Sequence, residues 1–226
     1  MIERLGAQPS AVPTSFGAVS EVLARRVTGR YDIDDWGLDP DLVALTDPAF
    51  ALRWNISVEG AEVLPAVGGA VLVFNRRIGV SEPWVVARGI RQSTGRFVRT
   101  VGAPDRAPIG PFLRRFGAVL DRTDEVKGLL RAGQLVGLPM RRDVRNREHA
   151  GALEVRRIQA AIDTGSPVVP LACVGRELGR EWKLVLGEPL KASRRAGPLA
   201  AAELAELVRS SVQEQLDDGL SASWWW

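Results

Sequence analysis

The most constraining feature of this chain is a continuous apolar run at residues 71–74, Val-Leu-Val-Phe, that stops abruptly at Asn75-Arg76-Arg77-Ile78-Gly79. Four consecutive apolar residues are too few for a buried helix. They fit a strand covered on both faces, the habit of parallel sheets. After the break come Ser81, Glu82 and Pro83. Ser81 can act as a helix N-cap, and Pro83 suits the first turn of a helix through Trp84, Val85, Val86 and Ala87. A strand, a polar loop and a helix start, in that order, put polar side chains at the carboxyl end of a strand. Open α/β sheets hold their sites there.

The rest of the chain carries similar units. Residues 55–59 alternate like a strand, and further strands are expected at 96–99, 118–122, 134–138, 167–175 and 182–186. Helices are expected at 17–27, from Asp39-Pro40 with Pro48 breaking or restarting it, at 123–132, from His149 through Ile162, and from about 198 to 216. These units give a mixed α/β sheet flanked by helices. Residues 1–14 read as disordered, 15–54 as an N-terminal helical element, 55–220 as one αβ domain and 221–226 as a tail ending in three tryptophans.

Composition excludes several classes. No run approaches the roughly 20 apolar residues of a membrane span, and the start lacks the apolar stretch of a signal peptide. A cytoplasmic address is therefore expected, with peripheral contact at the inner membrane face as an addition. One cysteine, Cys173, rules out an internal disulfide and a cysteine-rich zinc site, and its apolar neighbours mark it as buried. Net charge is only +3, yet residues 76–147 hold 16 basic and 6 acidic side chains, while residues 1–60 hold 5 and 9. All but one of those 16 are arginine. Arginine favours bidentate recognition of phosphate or carboxylate.

Four blocks in order carry a resemblance. Asn75-Arg76-Arg77-Ile78-Gly79-Val80-Ser81 resembles the Asn-His-x-Ser-x-x-Asp motif of the phospholipid/glycerol acyltransferases, the lysophosphatidic acid acyltransferase-like family. Gly117 and Arg122 resemble its second block, Pro139-Met140-Arg141 its Pro-Glu-Gly, and residues 167–175 its Val-Pro strand. The resemblance spans roughly residues 55–190. It implies a glycerolphosphate-acyltransferase-like sheet and transfer of an acyl group from a thioester to a glycerophospholipid hydroxyl, with no cofactor. It also implies a phosphate contact from Arg122, against which stands a simple surface ion pair with Asp121 or Asp124.

The chain departs from that pattern where the chemistry lies. Arg76 holds the position of the basic His, Ile78 that of the Ser and Ser81 that of the Asp. An arginine stays protonated and has no lone pair with which to accept a proton. Glu82 is adjacent but sits at a helix start, where a carboxylate is stabilised and weakly basic. The single histidine, His149, has only its neighbour Glu148 as a sequence-adjacent acid. Glu82 and His149 are thus weak rescue candidates.

The favoured function is a catalytically degenerate acyltransferase-fold protein, a pseudoenzyme. Arg76, Arg77, Arg122, Arg141 and Arg142 would surround its pocket mouth, with Asp121, Glu82 and Asp143 as the acids able to neutralise them. It would bind an anionic lipid or acyl thioester, or pair with an active relative. The alternative is an active acyltransferase with displaced catalytic groups. A third class, nucleic-acid binding by the Arg-rich third, is disfavoured because Phe97, Phe112 and Phe116 fall at core positions and offer no stacking platform.

Overall fold

A computed structural model describes residues 24, 27, 29, 32–76, 79–143, 149–191 and 199–223, with the side chains of 220–223 not assigned. The expected disorder of 1–14, most of the helix at 17–27, Arg77, Ile78 and the three terminal tryptophans lie outside these residues.

The element order is α1 (Pro40–Arg53), β1 (Asn55–Glu59), a single 3-10 turn (Ala61–Val63), β2 (Ala70–Phe74), α2 (Glu82–Thr94), β3 (Val98–Val101), α3 (Ile109–Arg114), β4 (Ala118–Val119), α4 (Thr123–Arg131), β5 (Leu135–Pro139), α5 (Val155–Thr164), β6 (Val168–Gly175), β7 (Glu181–Leu186) and α6 (Ala200–Ser223). Seven strands form one sheet in the order β1-β7-β6-β2-β5-β3-β4. Every neighbouring pair is parallel except β6 and β7. The apolar run of β2 is central, pairing with β5 and β6, and all five of its residues are buried. Leu72 and Phe74 pack with Val85, Val86 and Ile90 of α2 on one face. Val71 and Val73 pack with Leu129 of α4, Ile158 of α5 and Val208 of α6 on the other. Cys173 is wholly buried, as expected.

Several boundaries differ from the sequence expectation. The first helix runs unbroken through Pro48. Asp39 caps it, accepting from the Leu42 N–H at 2.8 Å. The helix expected from His149 starts only at Val155. Residues before it form an extended return in which Arg141 and Ala152 bridge antiparallel. Gly151, with φ +89, is needed there: a Cβ would lie 1.9 Å from the Arg141 carbonyl oxygen. The strand expected at 96–99 is shifted to β3, which frees Arg96 to donate to the carbonyls of Pro65, Gly68 and Gly133.

The acidic stretch before α1 folds onto the sheet. Arg99 of β3 is buried and ion-paired to Asp34, with a further bond to Gln134 at 3.3 Å. Asp47 of α1 receives Arg88 and Arg91 of α2 at 2.5 and 2.6 Å, which ties the N-terminal helix to the domain.

The sheet order creates a crevice. The chain leaves β2 to α2 on one face, but leaves β5, the next strand, to α5 on the opposite face. Neighbouring strands whose continuations diverge leave an opening at their carboxyl ends.

Candidate functional site

A cavity of about 930 Å³ occupies that opening. Its floor and walls are apolar: Val80, Pro83, Trp84 and Ala87 from the α2 side, Val101, Ala103, Leu113 and Phe116 from the β3–α3 side, and Met140 after β5. Its charged lining is four arginines, Arg76, Arg141, Arg142 and Arg157, and two carboxylates, Asp121 and Glu154, for a net charge of +2.

The loop after β2 is built by bonds its own sequence does not contain. Asn75 is buried; its amide donates to the Cys173 carbonyl at 3.0 Å and accepts from the Cys173 N–H at 2.7 Å. It thus extends the β2–β6 pairing by one peptide-like rung and takes no part in the cavity lining. Arg76 follows and turns into the cavity wall. Its Nη2 lies 3.5 Å from the Gly79 carbonyl, and its buried Nε has no acceptor among the described residues. Arg142 donates to the same carbonyl at 3.1 Å.

Ser81 stands before α2 but does not cap it with its own side chain. Its hydroxyl donates instead to Glu177 at 2.8 Å, and Glu177 also accepts from the N–H groups of Val80 and Ser81, each at 3.3 Å. A carboxylate at a helix N-terminus meets unpaired N–H donors and the positive end of the helix dipole. Glu177 sits in the β6–β7 turn, which Arg53 grips through the carbonyls of Glu177 and Gly179. Gly79 completes the fit: with φ +138, any Cβ there would collide with Glu177. A carboxylate is therefore present beside Ser81, delivered from 96 residues away. Nothing local to the motif could have revealed it.

The opposite wall centres on Asp121. It accepts from Arg157 through Nε at 3.1 Å and Nη2 at 2.8 Å, and from Arg156 at 3.0 Å. Burial pushes its carboxyl upward, but the hydrogen bonds and charges of Arg157 and Arg156 outweigh this and hold it below its ordinary value. Arg157 also donates to the Pro139 carbonyl at 2.7 Å, so this cation is locked to the end of β5. Arg156 also bonds Glu154 at 2.8 Å, and Arg141 approaches Glu154 at 3.7 Å. Sequence analysis missed Arg157 because one arginine on an amphipathic helix looks like any solvated charge.

The structure sorts the expected arginines. Arg76, Arg141 and Arg142 do line the cavity. Arg122 does not; it is 66% exposed and paired with Asp105 at 2.8 Å, an ion pair with neither of the two acids expected. Met140 is buried and lines the cavity. Glu82 is fully buried and outside the cavity lining. His149 is exposed, with Nδ1 3.4 Å from Asp143 Oδ2; Glu148 lies outside the described residues. His149 and Asp143 line a shallower depression of about 520 Å³, separated from the main cavity by the shared Arg141–Arg142 ridge. Phe112, expected in the core, is 58% exposed.

Among the described residues there is no cluster of three or more metal-ligating side chains, and no helix is long and apolar enough to cross a membrane.

The crystal structure of the 1-acyl-sn-glycerophosphate (LPA) acyltransferase PlsC from Thermotoga maritima matches this architecture with a TM-score of 0.58, over 91% of this chain and 89% of that one, at 18% identity. The fold is that of the acyltransferase. At this identity the match speaks for the fold and leaves the chemistry to the residues. An uncharacterised protein of Mycobacterium leprae is 24% identical over 264 residues, covering 88% of this chain and 71% of its own. Uncharacterised proteins of Mycobacterium bovis and Mycobacterium tuberculosis are 22% identical over 275 residues, covering 93% of this chain and 75% of theirs. No protein-family model matches the chain.

Proposed function

We propose that this acyltransferase-fold protein binds an anionic amphiphile, a lipid phosphate or an acyl thioester, and does not transfer acyl groups through a His–Asp pair on the β2 loop. One observation carries this: the Arg76 guanidinium stands in the cavity wall at the position where the family has its base. A permanent cation over an apolar floor can hold a phosphate or carboxylate whose chain lies on Trp84, Phe116 and Met140. It cannot take a proton from a hydroxyl. The Asp121–Arg157 pair leaves Arg76 and Arg142 as the cavity cations without a carboxylate within salt-bridge distance among the described residues.

Calorimetric titration with lysophosphatidic acid and with a long-chain acyl-coenzyme A, run beside a transfer assay on the same pair, tests this. Binding of one or both ligands without transfer is expected. Arg76→Ala should weaken binding about tenfold, the loss of one charged hydrogen bond. Binding of neither ligand would overturn the proposal, and transfer above background would replace it with the second function below.

A second function has one specific observation in its favour, the 3.4 Å approach of Asp143 to His149. It would make the chain an acyltransferase with a rebuilt base on the far side of the Arg141–Arg142 ridge. Transfer lost in both His149→Ala and Asp143→Asn would establish it.

A further inference from the structure

Two of the cavity arginines depend on one backbone oxygen. The Gly79 carbonyl accepts from Arg142 at 3.1 Å and lies 3.5 Å from Arg76 Nη2. Arg76 belongs to the loop after β2 and Arg142 to the segment after β5, the neighbouring strands whose continuations diverge around the cavity. Whatever fixes the direction of that carbonyl fixes both guanidinium groups at once.

The carbonyl belongs to a peptide unit held from its other side. A trans peptide group is planar, with its C=O and the following N–H pointing in opposite directions. The N–H that shares a plane with the Gly79 carbonyl is that of Val80, and it donates to Glu177 Oε1 at 3.3 Å. With the N–H turned to Glu177, the carbonyl must face away from Glu177, towards the arginines. Both edges of one peptide plane are thus occupied, the N–H by an anion and the oxygen by two cations, and each contact polarises the unit in favour of the other.

Three further contacts keep Glu177 in place. It accepts from the Ser81 N–H at 3.3 Å and from the Ser81 hydroxyl at 2.8 Å. Gly79, at φ +138, packs its α-carbon so closely on the Glu177 side chain that a Cβ has no room. Arg53 holds the turn itself through the carbonyls of Glu177 at 2.5 Å and Gly179 at 2.7 Å. Glu177 lines no cavity and, among the described residues, pairs with no cation. A carboxylate beside a cavity of net charge +2 would be expected to neutralise an arginine. Both oxygens of this one are given to N–H and O–H groups instead.

We propose that Glu177 is the positioning residue of the anion site: by holding the Val80 N–H it aims the Gly79 carbonyl, and the carbonyl sets Arg76 and Arg142 against the ligand. This inference rests on the binding of an anionic amphiphile proposed above. Guanidinium groups ordered before the ligand arrives lose less freedom on binding, and this gain in affinity needs no contact between Glu177 and the ligand.

Charge and position predict opposite signs here, which makes the inference testable. A carboxylate near an anion site repels the ligand, so a residue acting only through its field would improve binding when removed. A positioning residue would weaken it. The full chain is titrated calorimetrically with short-chain, monomeric lysophosphatidic acid and with a long-chain acyl-coenzyme A. Glu177→Ala should weaken binding about fivefold, less than Arg76→Ala, because both cations remain. Glu177→Asp keeps the charge but falls short of Val80 and Ser81, and should lose a similar amount. Glu177→Gln keeps the length and one acceptor oxygen without the charge, and should bind within about twofold of wild type. Arg53→Lys preserves the charge of the turn's anchor but not its two-pronged grip, and should weaken binding in the same direction without altering Glu177.

Asp39→Ala controls for a general loss of stability. It removes the cap of α1, a comparable cost in stability, from a residue that lines no cavity, and should bind as wild type does. Binding that is unchanged or tighter in both Glu177→Ala and Glu177→Asp overturns the inference and leaves the ligand reading standing. Equal losses in Asp39→Ala and Glu177→Ala overturn it as well, since stability alone would then account for both. A wild type that binds neither ligand overturns it together with the reading on which it rests.

Discussion

Two groups of arginines in this molecule look alike in the sequence and serve opposite ends of the sheet. Arg96 and Arg99 flank the start of β3. Arg96 donates to three backbone carbonyls, and Arg99 is buried against Asp34 and Gln134. Arg76 and Arg142 lie beyond the carboxyl ends of β2 and β5, where both guanidinium groups share the single carbonyl of Gly79. Arg96 meets three oxygen acceptors and Arg99 two, with Arg99 Nη1 buried and unpartnered among the described residues, and this pair holds loops to the sheet. The second pair faces a cavity with donor capacity left over. The difference lies in the number of acceptors each cation meets, and acceptor number separates a staple from a binding group.

The largest effect that would sharpen this contrast is at Arg99. Arg99→Ala leaves the Asp34 carboxylate without its partner and opens a void in a packed face. Asp34 is part exposed, so the expected loss in urea denaturation is about 2–3 kcal/mol, most of it the packing of the buried Arg99 stem. Arg142→Ala, by contrast, should leave the urea midpoint nearly unchanged. A midpoint shift at Arg142 as large as that at Arg99 would break the comparison.

Next in size is Glu177. Replacing it with Ala removes the acceptor for Ser81 and the first N–H groups of α2, and should cost about 1–2 kcal/mol, as for other lost caps at helix N-termini. Glu177→Gln should recover part of that, because an amide oxygen still accepts but carries no charge. An unchanged midpoint in both variants would remove Glu177 as the capping group.

The smallest effect concerns pH. The folded-state pKa of Asp121 lies below its ordinary value, because Arg157 and Arg156 outweigh its burial. A carboxyl with a lowered folded-state pKa binds more protons when unfolded. Its stabilisation is therefore present above the unfolded value, about 3.9, and is lost as pH falls through the lower folded value. The pair is partly solvent-exposed, so the contribution is about 0.5 kcal/mol. Asp121→Asn should flatten that acid limb without moving stability at pH 7 by more than this. An acid limb as steep as wild type would assign the pH dependence elsewhere.

Much of the fold was legible in the chain. The run at 71–74 marked a strand buried on both faces because alternation is lost when both sides are covered. Asp39-Pro40 marked the start of α1, and the structure places cap and proline as expected. The resemblance put Arg76, Arg141 and Arg142 at a pocket mouth, and all three line the cavity. Arg122 forms a surface ion pair, one of its two expectations, but with Asp105 of the Pro-rich turn rather than Asp121 or Asp124. The approach of Asp143 to His149 was not legible, because it depends on the antiparallel bridge of Arg141 and Ala152.

What the sequence determined by itself is the succession of strand, loop and helix, the burial of the central strand and the placing of Arg76 and Ser81 in the loop that follows it. Each of these depends on residue type and local spacing. Only the tertiary structure decided that Glu177 reaches Ser81, that Arg157 closes on Asp121, and that Arg142 reaches the Gly79 carbonyl. Those contacts join segments far apart in the chain. They form because a parallel sheet brings the ends of its strands to one side, whatever their distance in sequence.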